Sequence, residues 1–217
     1  MIELPLFPLN TVLFPGMPLT LHIFEERYKR MMRTCLQTRE PFGVVLIRHG
    51  AEAFGPLAEP HYIGTTARIL ETEPLRNGKM NIVALGQKRF RILDLDFSRP
   101  YLVGKVELYP LANGDSYALE KTGRRLRPWV ERYMHILTEV NDVELNPDHL
   151  PNDPMVLGYL AAVLLQIPPE QKQALLAAER ALDLLTDMYN IYRREVPLLR
   201  AMLNEDLRET AGSFSVN

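Results

Sequence analysis

Residues 1–36 read MIELPLFPLNTVLFPGMPLTLHIFEERYKRMMRTCL, and this stretch decides how the chain can fold. Its first half is apolar and is interrupted by four prolines, Pro5, Pro8, Pro15 and Pro18. Because proline has no backbone N–H and a fixed φ, this half predicts short extended pieces joined by turns, without a continuous helix or a central strand. The sharpest turn is expected at Pro15-Gly16, and one strand is expected over residues 19–23.

From Phe24 onward the apolar residues follow the spacing of a helix. Steps of three and four separate Phe24, Tyr28, Met31, Met32, Cys35 and Leu36. Charged residues fill the intervening positions, so the sequence predicts a helix with one apolar face. Cys35 lies on that face and is expected to be a small buried hydrophobe, with a reactive thiol as the alternative. It is the only cysteine, which excludes an internal disulfide and fits a reducing compartment.

The stretch LPLFPLNTVLFPGMPLTLHIFEERYKRMM resembles the opening of the Lon N-terminal domain, the substrate-binding region that precedes the ATPase and peptidase modules of Lon proteases. Three later segments, GTTARIL, LGQKRFRI and PYLVGKVELYP, are similar to successive strands of that domain. The resemblance implies a small PUA-like β-barrel over residues 1–110. The segment PPEQKQALLAAERALDLL is similar to the helical part that follows the barrel in Lon.

Composition and charge restrict the class of protein. The chain has 217 residues, 47% of them hydrophobic and 24% charged, which is ordinary for a soluble globular protein of one large or two small domains. A formal net charge of −2 gives no general attraction to nucleic acid or anionic membranes. The apolar run at 155–165 is shorter than the ~20 residues of a membrane span, and the N-terminus does not resemble a signal peptide. We therefore expect a cytoplasmic protein.

The remaining strands of the barrel follow from apolar runs and turn signals. They are predicted at residues 44–47, 62–75, 80–95 and 101–109. Asn77-Gly78 predicts a type I′ hairpin turn, and Gly86 predicts a bulge or a bend at a barrel corner. Alternation along the returning strand places Phe90 and Ile92 inside and the neighbouring arginines in water.

Those arginines, Arg89 and Arg91, together with Lys88 are the residues that an RNA-binding surface would use. A solvated outer face of a strand is the simpler interpretation of the same pattern. An RNA-binding PUA-like barrel is therefore kept as the alternative function, and it predicts an affinity that falls steeply with added salt.

Beyond residue 110 the periodicity is helical. Gly123 and Pro128 argue against one unbroken helix there, and Pro128 suits a first helical turn. Asn152-Asp153-Pro154 predicts the start of a helix that is apolar almost all round and should be the most buried of a bundle. Pro197 should kink or divide the last long helix. The apolar repeat of that helix fits packing within the chain, with a dimer seam as the alternative.

Taken together, these patterns predict an α+β protein with an N-terminal PUA-like β-barrel that carries one amphipathic helix, followed in sequence by a C-terminal helical bundle. The predicted boundaries are 1–110 for the Lon N-terminal-like β domain, 111–115 for a linker, 116–203 for the helical bundle and 204–217 for a polar tail.

The sequence lacks the motifs of ATP and peptide-bond hydrolysis. A P-loop needs G-x-x-x-x-G-K-[ST], whereas the Gly-Lys pairs at 78–79 and 104–105 are followed by Met and Val. A peptidase would need a lysine-activated serine, and none of the four serines lies in a glycine-flanked elbow. We expect no catalytic residue and no cofactor. We also expect no metal, although His49 and His61 flank one loop and could meet in space.

The resemblance implies a non-catalytic module that binds polypeptides, in a stand-alone form without the ATPase or peptidase modules. Exposed apolar side chains at a groove between the barrel and the bundle are expected to hold unfolded or extended segments. The candidate residues are Phe14 and Met17 in the opening stretch and Phe54 and Leu57 in the loop at 49–61, although the latter two could instead fasten that loop to the barrel. Expected partners are unfolded or extended polypeptides and, further, a separate protease or chaperone. Membranes and nucleic acid are not expected partners, and the oligomeric state stays open.

Overall fold

The computed structural model describes residues 2–53, 55–112, 114–141 and 145–213, with side chains described for all of these except 141 and 204–213. The chain divides into two compact units. The first, which we call the barrel unit, comprises Met1–Leu111 and Leu165–Ala178. The second, the helical unit, comprises Ala112–Leu164 and Glu179–Asn217. The segment at 165–178, expected within the helical bundle, thus groups with the barrel.

Strands dominate the first part of the chain and helices the second. In chain order the elements are β1 (Ile2–Leu9), β2 (Pro18–Ile23), α1 (Glu26–Thr38), β3 (Phe42–His49), β4 (Glu59–Pro60), β5 (Ile63–Pro74), β6 (Met80–Asp96), β7 (Val103–Leu108), α2 (Ser116–Asn141), α3 (Pro154–Leu164), α4 (Pro169–Leu176) and α5 (Ala181–Ser213). Short 3₁₀ turns lie at Arg76–Gly78 and Pro147–His149. Of the described helices, none is both long and apolar enough to cross a membrane.

The strands form a closed barrel. Neighbouring strands follow the order β1-β7-β6-β5-β3, and a parallel pairing between β1 and β3 closes the circuit. The other pairings around the circuit are antiparallel. Two further strands are not part of this circuit. The strand β2 pairs with β6, and the short strand β4 pairs antiparallel with the end of β3. This confirms the predicted α+β class, with an N-terminal β-barrel and a helical C-terminal part.

A barrel strand passes through two of the N-terminal prolines, so the expectation of only short extended pieces there was wrong. Residues 2–5 of β1 pair with β7, and residues 6–9 pair with β3. Apart from Leu6, whose N–H also donates to the Leu102 carbonyl at 2.8 Å, each half of β1 therefore has one paired and one unpaired side. Proline is compatible with a strand when its missing N–H would face the unpaired side, which allows Pro5 and Pro8 to lie within β1.

The hairpin between β5 and β6 turns where the sequence predicts. Asn77 has φ 59° and Gly78 has φ 67°, so both central residues of the turn are left-handed, as a type I′ turn requires. The neighbouring Lys79 N–H donates to the Arg76 carbonyl across the turn at 3.3 Å.

Gly86 lies at an irregularity of β6, as predicted. It pairs with Ala67, and the register of β5 against β6 shifts between Thr65 and Ala67. The Gly86 N–H donates to the Met17 carbonyl at 2.9 Å, which joins β6 to the proline-rich opening stretch. A Cβ at Gly86 would lie 2.3 Å from the Phe14 carbonyl oxygen, so only glycine allows this close approach.

The apolar face of α1 packs into the core of the barrel unit. Its buried members include Tyr28, Met31, Met32 and Cys35. The Tyr28 and Phe7 ring centroids are 4.2 Å apart. Cys35 is 3% exposed, which confirms its role as a small buried hydrophobe. Burial raises the pKa of its thiol to about 11.

The sequence placed Arg89 in water, and the structure shows it buried, with 4% of its surface exposed. Phe90 and Ile92 face the interior as predicted. Two consecutive residues, Arg89 and Phe90, are thus both buried, because α4 packs on the neighbouring strand β5 and Ala178, just after α4, contacts Arg89. The Arg89 Nη2 donates to the Ala178 carbonyl at 2.5 Å, and the Gln173 Nε2 donates to the Ile63 carbonyl at 3.0 Å.

The helical unit differs from the sequence-based expectations in helix continuity, helix length and burial. α2 is one helix that includes Pro128, because burial of its apolar stripe offsets the lost hydrogen bond. α5 continues through Pro197 without division, and the kink expected there as the alternative stays a prediction. α5 also extends to Ser213, so part of the predicted tail is helical. α3 is not buried all round, since Val156 is 54% exposed.

α5 packs against α3 within this unit. The hydroxyl of Tyr192 donates to the Ala161 carbonyl at 2.9 Å, and Tyr192 also contacts the ring of Tyr133 edge-on. This contact confirms that α5 packs within the chain, as the sequence favours over a dimer seam.

Candidate polypeptide-binding groove

A groove of about 280 Å³ opens on the barrel unit. It is lined by Phe7, Leu9, Thr20, Leu21, His22, Ile23, Phe24, Glu25, Tyr28, Glu52 and Ala53. Two aromatic residues of the buried core, Phe7 and Tyr28, form the floor of the groove. Leu21 is half-buried and packs against the same core cluster. The groove therefore combines an apolar floor with an open, partly polar rim, as peptide and ligand sites commonly do.

The groove follows the edge of β2. Residues 20–25 line it consecutively, and consecutive side chains of a strand point to opposite faces. A lining of consecutive residues therefore means that the groove runs beside the strand backbone and not across one face of the sheet. Within the described residues, β6 is the only strand that pairs with β2. The other side of β2 is an unpaired edge, with backbone groups available to an added strand.

Polar contacts fasten the loop between β3 and β4 to the start of α1. The Glu25 carboxylate lies 3.0 Å from the Arg27 guanidinium, whose Nη1 donates to the Gly55 carbonyl at 3.2 Å. In the same loop, Glu52 accepts a hydrogen bond from the Asn10 backbone N–H at 2.9 Å. These contacts hold the loop as one wall of the groove. The groove lining thus includes two carboxylates, Glu25 and Glu52.

His22 belongs to a short polar chain at the outer end of β2. Its Nδ1 lies 2.8 Å from the Asn81 Oδ1, and the Asn81 Nδ2 donates to the Glu73 carboxylate at 2.8 Å. The His22 ring also stacks on Phe24 with centroids 5.9 Å apart. These hydrogen bonds fix the His22 side chain to β6.

A family model described as the ATP-dependent protease La (LON) substrate-binding domain matches residues 3–194. The chain belongs to this family. Among curated proteins it is 26% identical to Lon protease 2 of Myxococcus xanthus and 25% identical to Lon protease of Anaeromyxobacter dehalogenans, each over 80% of this chain and 21% of the relative. The chain thus spans about a fifth of the length of these Lon proteases.

Solved structures agree on the fold of this Lon-family chain. A Lon N-terminal domain protein from Xanthomonas campestris superposes with a TM-score of 0.65 at 26% identity, covering 87% of this chain and 97% of the other. The N-terminal domain of a Mycobacterium avium complex Lon protease superposes with a TM-score of 0.62 at 17% identity, covering 88% and 98%. The second likeness concerns the fold alone.

The residues predicted to bind polypeptide differ in burial where the structure describes them. Phe14 is fully buried, and a side chain without exposed area cannot contact a ligand, so Phe14 belongs to the core. Met17 is half-buried and packs against the core cluster, and Leu57 is half-buried in the loop. Phe54 lies outside the described residues. Binding roles for Met17, Phe54 and Leu57 stay predictions.

Sequence reasoning missed the residues that line the groove. Phe7, Leu21 and Tyr28 were read as members of apolar patterns, which do not distinguish a groove floor from a closed core. The available signal was the short strand that begins at Pro18, because proline is common at the start of edge strands. The partner of that strand lies some 60 positions further along the chain, as in the pairing of Leu21 with Ile82.

The three basic residues named for an RNA-binding surface lie in different surroundings. Arg89 is buried under α4. Arg91 donates from Nε to the Glu107 carboxylate at 2.9 Å and also lies over the Tyr109 ring. Of the three residues named for RNA, Lys88 and Arg91 are exposed, and the carboxylate of Glu107 neutralises Arg91.

The histidines that flank the loop, His49 and His61, are not part of a metal-binding cluster of described residues. Among the described residues, no cluster of three or more His, Cys, Asp or Glu side chains is arranged to hold a metal ion. Burial lowers the pKa of His61, and the nearby positive charge of Arg48 lowers it further.

Proposed function

We propose that this chain is a non-catalytic module that binds unfolded or extended polypeptides, as the substrate-recognition domain of an ATP-dependent Lon protease would. The observation that carries the proposal is the groove beside the unpaired edge of β2, with Phe7 and Tyr28 in its floor. Membership of a substrate-binding-domain family supports the same function. An aromatic floor next to free backbone groups suits a chain segment better than a compact small molecule.

In this role the chain itself hydrolyses neither ATP nor peptide bonds. The sequence offers neither a P-loop nor a glycine-flanked serine, so bound polypeptide would be released or passed on intact. A separate protease or chaperone in the cytoplasm is the partner that this role requires.

Titration with an unfolded protein tests this function. The probe is a fluorescein-labelled, reduced and carboxymethylated globular protein, followed by fluorescence anisotropy. We expect saturable binding that Leu21→Asp weakens at least about tenfold, since a charge in the centre of an apolar site is poorly tolerated. Leu93→Asp is the matched control, because Leu93 is exposed on β6 and does not line the groove.

Thermal unfolding of both variants separates a binding defect from a folding defect. A flat isotherm for the unchanged protein would refute the function, and so would equal weakening by the two variants. If Leu21→Asp does not fold, Thr20→Asp replaces it, because Thr20 is exposed and lines the same groove.

A further inference from the structure

We propose that the polypeptide binds in the groove as an additional β-strand on the free edge of β2, and that the groove selects segments that carry Lys or Arg. This inference rests on the proposed function and specifies its binding mode and its substrate class. The occupant is an extended, alternating apolar and basic segment of another polypeptide.

The backbone of β2 supports strand addition. Residues 18–23 pair with β6 on one side only, in register from Pro18 with Leu85 to Ile23 with Met80. Among the described residues, no backbone hydrogen bond joins residues 18–23 to a residue on the opposite side. Six paired residues at ~3.3 Å each give an edge about 20 Å long, enough for a strand of ordinary length.

The shape of the groove favours a strand over a helix. It follows the consecutive residues 20–25, and one side of an added strand would face Phe7, Leu9 and Tyr28. A strand presents every second side chain to one face, so alternate apolar residues of the ligand would reach this floor. A helix would bring neither its backbone groups to the β2 edge nor its side chains at that spacing.

Charge complementarity identifies the second feature of the ligand. Of the described residues that line the groove, Glu25 and Glu52 are charged and none is Lys or Arg. Glu25 already has a cation, because Arg27 lies 3.0 Å away. The contact of Glu52 is with the neutral Asn10 N–H, so its negative charge is available to a basic side chain of the ligand.

Amide exchange of the full-length protein, followed residue by residue by NMR, tests strand addition. The probe is a peptide of about eight residues that alternates Val with Lys. At saturation we expect alternate amides of residues 19–23, those that do not pair with β6, to exchange at least about tenfold more slowly, because new hydrogen bonds protect them. A peptide with the same side chains and all backbone amides N-methylated should not bind measurably.

Peptide composition and one protein variant test the selection of basic residues. We expect the Val/Lys peptide to bind more tightly than Val/Ser, and Val/Glu to bind most weakly. Glu52→Gln keeps an acceptor for the Asn10 N–H and removes the charge, so it should weaken Val/Lys binding about two- to fivefold and leave Val/Ser unchanged. Glu139→Gln in the helical unit, an exposed position outside the groove, is the matched control and should change neither.

The outcomes separate this inference from the proposed function. Binding of the N-methylated peptide at full affinity, or binding without protection of the β2 amides, would overturn strand addition and leave polypeptide binding intact. Equal affinity for Val/Lys and Val/Glu peptides would overturn the selection of basic segments. If neither the peptides nor the unfolded protein bind, both the function and its mode are refuted.

Discussion

At the scale of single residues, Arg89 connects two distant parts of the barrel unit. It lies on β6, and its guanidinium donates to the Ala178 carbonyl just after α4 while it lies over the Tyr109 ring. The contact spans 89 positions along the chain. The sequence around Arg89 shows only strand alternation, so no local pattern could predict that α4 would cover it.

Replacing Arg89 with Met should lower the free energy of unfolding by about 1–3 kcal/mol, because the part-buried Ala178 carbonyl loses its charged donor. Arg91→Met, on the same strand, removes an exposed ion pair with Glu107 and should cost less than about 1 kcal/mol. Urea unfolding of both variants measures the difference. Equal losses would contradict the role of Arg89 in holding α4.

The reactivity of the Cys35 thiol tests whether this side chain is buried. Its thiol pKa is raised from 9.0 to about 11 by burial, so the folded protein holds the thiol protonated. We expect no reaction with a disulfide reagent at neutral pH until the chain unfolds, because the thiolate is the reactive form. The stabilisation from this raised pKa is complete below 9.0 and is lost as the pH rises towards 11. Rapid labelling of the native protein at pH 7 would contradict this account.

At the scale of elements, local signals predicted turns well and strand neighbours poorly. The backbone geometry at Asn77-Gly78 and at Gly86 depends on only one or two residues. The structure has the expected turn at the first site and the expected strand irregularity at the second. By contrast, the first half of β1 pairs with β7 and the second half with β3, and this change of partner allows Pro5 and Pro8 to lie within the strand. The unpaired edge of β2 likewise depends on which strands meet, and no local pattern specifies that.

Gly86→Ala tests the close approach between β6 and the opening stretch. The new methyl would meet the Phe14 carbonyl oxygen, a backbone atom that cannot move aside cheaply, so we expect a loss of about 1–3 kcal/mol. Gly55→Ala is the control, since its Cβ would meet nothing nearer than 3.6 Å. Thermal unfolding compares the two, and a neutral Gly86→Ala would contradict the geometry.

At the scale of the whole molecule, the sequence predicted the α+β class and the barrel, and its family resemblance is confirmed over residues 3–194. It did not predict that residues 165–178 group with the barrel, because their apolar content is equally typical of a bundle helix. It also did not locate the groove. Apolar residues such as Phe14 and Phe7 look alike in sequence, yet one is enclosed by the core and the other lines the groove.

The central claim is that the groove beside β2 holds extended polypeptide, and site-specific crosslinking tests it most directly. A photoreactive phenylalanine analogue is placed at position 21 in the groove or, as the control, at position 93 outside it. On illumination with an unfolded, labelled protein, we predict a crosslinked product from position 21 that excess unlabelled unfolded protein abolishes, and little product from position 93. Equal yields from both positions, or no product from position 21, would contradict the claim.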